Sequence, residues 1–96
     1  MTQFQHITSE LHQNVPLITI TAAHLREAEL CYAVRDEIRD ALAPEQTENV
    51  LLDMQHVSFI GSIGFLVFIG LRRMLDKGRI VLCGMNGPIQ DAFSAS

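Results

Sequence analysis

Two short, unbroken apolar runs, NVLLDM from Asn49 to Met54 and RIVLCG from Arg79 to Gly84, flank a stretch of helical character between Ser62 and Lys77. Nothing else in the chain constrains its fold as much. A continuous run of Val, Leu and Ile is the pattern of a strand covered on both faces, and such strands belong to parallel sheets. Parallel neighbours need a long crossover, which a helix supplies. The segment therefore predicts a strand–helix–strand unit with two central strands.

The N-terminal half extends the pattern. VPLITIT, Val15 to Thr21, alternates Leu17 and Thr19 against Ile18 and Ile20, as a strand does. FQHITSEL before it is a weaker strand candidate, and Gln13-Asn14 turns one into the other as a hairpin. From Leu25 to Leu42, Leu30, Val34, Ile38 and Leu42 form one stripe at helical spacing. Charges at Glu29, Arg35, Asp36, Arg39 and Asp40 cover the rest, and Pro44 closes the helix. Asn86-Gly87-Pro88 begins a last helix, since proline suits the first helical position. The expected order is ββαβαβα: an α/β fold, its sheet mostly parallel with an antiparallel N-terminal edge strand, and helices packed against it. No repeat or linker divides residues 1–96, which predicts a single domain.

A net charge of −4 with no basic block offers nothing to a phosphate backbone, so nucleic-acid binding is not expected. Cys31 falls in a helical pattern and Cys83 in a strand pattern, so both are expected as small buried apolar residues of a reduced compartment. The start, MTQFQHITSE, lacks the features of a signal peptide. The longest apolar run, Phe65 to Leu71, is interrupted by Gly70 and closed by Arg72 and Arg73, short of the roughly 20 residues of a membrane span. A soluble cytoplasmic protein without a membrane partner is the expectation. His6, His12, His24 and His56 show no metal-ligand spacing, so no metal or other cofactor is expected.

In sheets of this kind the working surface lies at the carboxyl ends of the strands, where Asp53 and Ser62 both fall. An aspartate at a strand end is the phospho-acceptor of response-regulator receivers, but that chemistry needs Mg²⁺ and further carboxylates nearby. No acidic pair or lysine follows the other strands, so Asp53 is expected to bond loop amides instead. Asp53, His56 and Ser62 contain the residue types of a hydrolytic triad, but the Gly-x-Ser-x-Gly elbow is absent. Ser62, between Gly61 and Gly64 at a helix start, suits a cap, the commonest duty of serine there, and also suits a phospho-switch, because the positive end of the helix tolerates phosphate. The helix that follows is apolar nearly all round, more than one packing stripe requires. Phe65 with Phe68 or Ile69 is a candidate surplus available for docking.

The ordered set Leu52-Asp53, Val57, Phe59-Ile60, Ser62, Gly64, Arg79 to Gly84 and Phe93, with the upstream strand and helix, resembles STAS domains of the anti-sigma factor antagonist family. The resemblance implies a non-catalytic binding module that works by partner switching. In that family the unphosphorylated domain binds an anti-sigma factor with serine-kinase activity and frees a sigma factor; phosphorylation before the glycine breaks the contact. It implies a partner surface of Asp53, Ser58, Gly61, Ser62, Ile63, Gly64, Phe65, Met85 and Asn86, in a bacterial transcription-control system. The chain departs from the pattern at Gly61, which replaces an acidic residue, and at Ile63, which stands at the usual acceptor position. Ser62 is then the candidate acceptor, and the alternative is a constitutive scaffold or subunit of a stress-signalling or lipid-transport complex. Family members commonly continue beyond a helix such as Pro88–Ser96; a curtailed one would bare sheet surface and favour a homodimer.

Overall fold

The computed structural model describes residues 4–13, 15–42, 49–74 and 79–90. Strands β1 (Ile7–His12) and β2 (Val15–Ile20) form the expected hairpin, antiparallel with Ile7 opposite Ile20 and His12 opposite Val15. Pairing of His12 with Val15 leaves a two-residue loop. Gln13 adopts φ +52°, the left-handed backbone that such loops require; Asn14 lies outside the described residues. Strand β4 (Asn49–Asp53) pairs parallel with β2 on one side and with β6 (Arg79–Cys83) on the other, giving the order β1-β2-β4-β6.

Helix α1 (Ala28–Leu42) buries Cys31, Val34, Ile38 and Leu42, and α2 (Ser62–Met74) buries Val67, Phe68 and Leu71. They pack on each other and join one core cluster with Ile18, Ile20, Val50 and Leu52. Ile18 and Leu52 are register partners, so these side chains share one sheet face. Each removes apolar surface worth about 1.5–3 kcal/mol from water. A hydrogen bond from His6 N–H to a Glu37 carboxylate oxygen, 2.9 Å, fastens the start of β1 to α1.

Three expectations need correction. First, the helix predicted from Leu25 begins at Ala28, because His24–Leu25 form a short strand, β3, parallel to β5 (Phe59–Ile60). Tertiary pairing holds Leu25 extended: its carbonyl accepts the Gly61 N–H at 2.8 Å. Second, NVLLDM and RIVLCG are not covered on both faces. Burial alternates along β4, and β6 lies at one end of the described sheet with Val81 48% exposed. The described helices cover one face alone, so the outward row Leu17, Leu51 and Val81 stays at least partly open. Third, Cys83 points outward on that face and is exposed, whereas Cys31 is buried as expected; both are free thiols.

A helical turn covers residues 87–90, with Asn86 as its cap: the Asn86 side-chain oxygen accepts the Ile89 N–H at 2.9 Å. Pro88 thus occupies the second helical position, not the first, where its missing N–H is equally harmless. The rest of the predicted last helix, and the ends at 43–48 and 75–78 that include Pro44 and Lys77, lie outside the described residues.

Candidate functional site

The carboxyl ends of β4 and β6 meet in register, Asp53 beside Cys83. The Met54 N–H donates to the Cys83 carbonyl at 2.7 Å, continuing the ladder into the turn. Asp53 accepts the Gln55 backbone N–H at 3.0 Å on one carboxylate oxygen and the Gln55 side-chain amide at 2.9 Å on the other. It is the turn-binding aspartate that its sequence context predicts. Among the described residues it makes no hydrogen bond to His56 or Ser62, and no group of three His, Cys, Asp or Glu side chains converges as a metal site.

Gly84 closes the same corner with φ +71°; a Cβ there would stand 2.6 Å from an Asp53 carboxylate oxygen and 3.0 Å from the Gln55 nitrogen. Left-handed backbone costs an L-residue about 1–2 kcal/mol before any clash. Gly84→Ala is therefore expected to destabilise the domain by about 2 kcal/mol, read as a lowered urea midpoint with an unchanged slope. The Cys83 thiol beside it is pushed up from its ordinary value by desolvation first and by the Asp53 carboxylate second. It stays protonated at neutral pH and is a poor nucleophile.

Four bonds knit the rim. The Ser58 hydroxyl and N–H donate to the Ala23 carbonyl at 3.2 and 2.8 Å. The Asn86 side-chain amide donates to the Ser58 carbonyl at 3.4 Å, and Gly61 N–H to Leu25 as described. Loops far apart in sequence thus become one surface containing Ser58, Gly61, Ser62 and Asn86, with Met85 half-buried against the core behind them.

Gly61, not Ser62, holds the capping position of α2: its carbonyl accepts the Phe65 N–H at 3.1 Å, the first bond of the helix. Ser62 is the first helical residue, exposed, with no side-chain hydrogen bond among the described residues. Glycine caps almost as well as serine, so the hydroxyl is not needed to start the helix. Gly64 is buried, a Cβ there reaching 2.7 Å from an Ile60 methyl and 3.1 Å from the Leu25 carbonyl. The first turn of α2 consequently rests directly on β3 and β5.

The apolar surplus of α2 is sorted by this seating. Of the alternatives Phe68 and Ile69, Phe68 is buried and Ile69 exposed, while Ile63 and Phe65 are half-buried. Leu66 and Ile69, 66% and 47% exposed, stand on the Ser62 face at i+4 and i+7. Phe59 is also exposed, with the Arg26 guanidinium 4.8 Å from its ring centroid. Arg26, Phe59 and Leu66 went unmarked as rim residues in the sequence. Arg26 and Phe59 lie 33 positions apart and no spacing rule joins them.

A mixed sheet with an antiparallel entry strand and helices on one face is a small α/β architecture. Residues 6–96 match the STAS domain family, and the chain belongs to it. The anti-sigma factor antagonist SpoIIAA in its unphosphorylated form superposes with a TM-score of 0.71 at 18% identity, covering 94% of this chain and 83% of that one. The inward-facing murine anion transporter Slc26a9 contains a similar region, with a TM-score of 0.74 at 16% identity, covering 99% of this chain and 19% of that one. The crystal structure of Mglu superposes over 79% of this chain and 19% of that one, with a TM-score of 0.63 at 19% identity. At these identities the likeness is one of fold. No described helix is long and apolar enough to cross a membrane.

Proposed function

We propose that this STAS domain is a non-catalytic, single-domain interaction module of the anti-sigma factor antagonist kind, acting in the bacterial cytoplasm. Its partner is an anti-sigma factor with serine-kinase activity, and docking releases a sigma factor to transcription. The exposed, unbonded Ser62 hydroxyl at the start of α2, with Leu66 and Ile69 on the same helix face, is the observation that carries this reading.

The proposed docking surface comprises Asp53, Ser58, Gly61, Ser62, Ile63, Gly64, Phe65, Met85 and Asn86, extended by Phe59, Leu66 and Ile69. Asp53, Gly64 and Met85 serve it from behind by fixing the backbone; Ser62 and the exposed apolar side chains meet the partner. Phosphate on Ser62 adds close to two negative charges at the positive end of α2. The helix tolerates the charge, while an apolar partner surface laid over the rim does not. The module then switches off without unfolding.

Incubation with a cognate anti-sigma serine kinase and ATP is expected to add one phosphate to the intact mass. Ser62→Ala is expected to remove that gain and keep partner binding. No gain with a kinase active on another substrate ends the switching half of the proposal. Ile63 at the acceptor position of the family favours the second reading, a constitutive scaffold or subunit. In that case the partner binds equally with and without ATP.

A further inference from the structure

A second surface borders the carboxyl rim and shares Ile63 and Leu66 with it. Between α1 and α2 runs a groove of about 550 Å³, walled by Tyr32, Arg35 and Arg39 on one helix and by Ile63, Leu66 and Gly70 on the other. Among the described residues no carboxylate lines it. Arg35 stacks on Tyr32, 4.9 Å from the ring centroid, and contacts the adjacent Asp36 at 3.0 Å. Arg39, one turn on, has no partner among the described residues. In a chain of net charge −4 this wall is locally positive.

The opposite wall has a ridge and a hole. Leu66 protrudes, and one turn later Gly70 has open space where a Cβ would be. That is the surface relief into which a third helix packs, a ridge beside a gap at four-residue spacing. The lining residues step at matched three- and four-residue intervals on both helices, making a trough about 10 Å long, two helical turns. Small-molecule pockets enclose most of their ligand, whereas this trough, with Leu66 two-thirds exposed, is open along its length.

We propose that the α1–α2 groove docks an acidic amphipathic helix of a partner protein, its apolar residue seated over Gly70 and two carboxylates one turn apart meeting Arg35 and Arg39. The spacing is reciprocal: arginines at i and i+4 stand about 5–6 Å apart, as do carboxylates at i and i+4 on a facing helix. Such charge-assisted pairs supply orientation, and the apolar contact over Gly70 supplies most of the affinity.

The test uses two capped helical peptides of about 15 residues, long enough to hold helix. Each carries one leucine stripe, flanked by glutamate pairs at i and i+4 in the first and by lysine pairs in the second. With the full chain, the glutamate peptide is expected to bind about tenfold or more tightly than the lysine peptide by fluorescence anisotropy. It should shift the amide resonances of Tyr32, Arg39, Leu66 and Gly70. Gly70→Trp, which fills the hole, is expected to abolish binding with the unfolding midpoint retained. The Arg35→Glu/Arg39→Glu double variant, with circular dichroism as the folding control because Arg35 stacks on Tyr32, is expected to reverse the peptide preference.

Equal affinity for the two peptides, or shifts confined to other residues, overturns the proposal. So does a response of the groove amides to decanoate but not to the peptide, or a self-dimer lost in Gly70→Trp, since a small amphiphile or a second copy would then own the groove.

Discussion

Gly64→Val is expected to lower the stability of the domain by about 2–3 kcal/mol, the cost of overpacking a filled interior. The valine Cβ would lie 2.7 Å from an Ile60 methyl and 3.1 Å from the Leu25 carbonyl. The methyl can shift, but that carbonyl is already committed to the Gly61 N–H at 2.8 Å. Relief therefore means moving α2 off β3 and β5, which carries the Ser62 turn with it. For a domain of this size the loss corresponds to roughly 10–20 °C in melting temperature. Gly70→Ala is the matched control on the same helix. Nothing lies within 4 Å of its Cβ, so removal of a helix-interior glycine should raise stability by about 0.5–1 kcal/mol. Thermal unfolding of the pair checks both. A Gly64→Val protein as stable as the parent would show that α2 does not sit where the rim needs it.

Ile69→Asp is expected to abolish partner docking while leaving the fold intact. The side chain is about half exposed, faces the same way as Ser62 and lies outside the groove between the helices. Burying a carboxylate in an apolar contact costs several kcal/mol, and central apolar anchors of interfaces commonly contribute 2 kcal/mol or more, about thirtyfold in affinity. The domain itself should hardly notice. Arg72 and Arg73, three and four residues on and exposed, are placed to pair with the new carboxylate and offset the lower helix propensity of aspartate. Titration calorimetry against the anti-sigma partner, with circular dichroism as the folding control, reads both halves. Undiminished binding would remove Ile69, and the face it shares with Ser62, from the interface.

The two discriminating positions differ in how visible they are in the chain. The helical period of α2 is plain, yet its apolar residues run nearly all round, so periodicity does not say which of them turn outward. Seating decides it: Gly64 presses one side of the first turn onto Leu25 and Ile60, which buries Val67, Phe68 and Leu71 and leaves Leu66 and Ile69 in solvent. For this reason the pattern leaves Phe68 and Ile69 as alternatives for the outward face, and the seating selects Ile69. Ser62 was expected as the cap for a related reason. Serine is a favoured capping residue, but the bond from Gly61 N–H to Leu25 goes with a helix that starts one residue earlier than local preference suggests, with Gly61 as its cap. The strand at His24–Leu25 shows the same competition, with a pairing partner about 35 residues away prevailing over a helical pattern.

What the amino-acid sequence determined by itself was the type and order of the main elements, the hairpin, the parallel crossover topology and the role of Asp53 in its turn. All of these follow from interactions between near neighbours or from hydrophobic period, which are properties of short windows. Only the tertiary structure decided which face of the sheet is covered, which side of α2 is free, and that residues 23–26, 58–62 and 84–86 form one rim beside a basic groove. Those outcomes depend on hydrogen bonds and packing between segments distant in the chain, whose geometry no local pattern encodes.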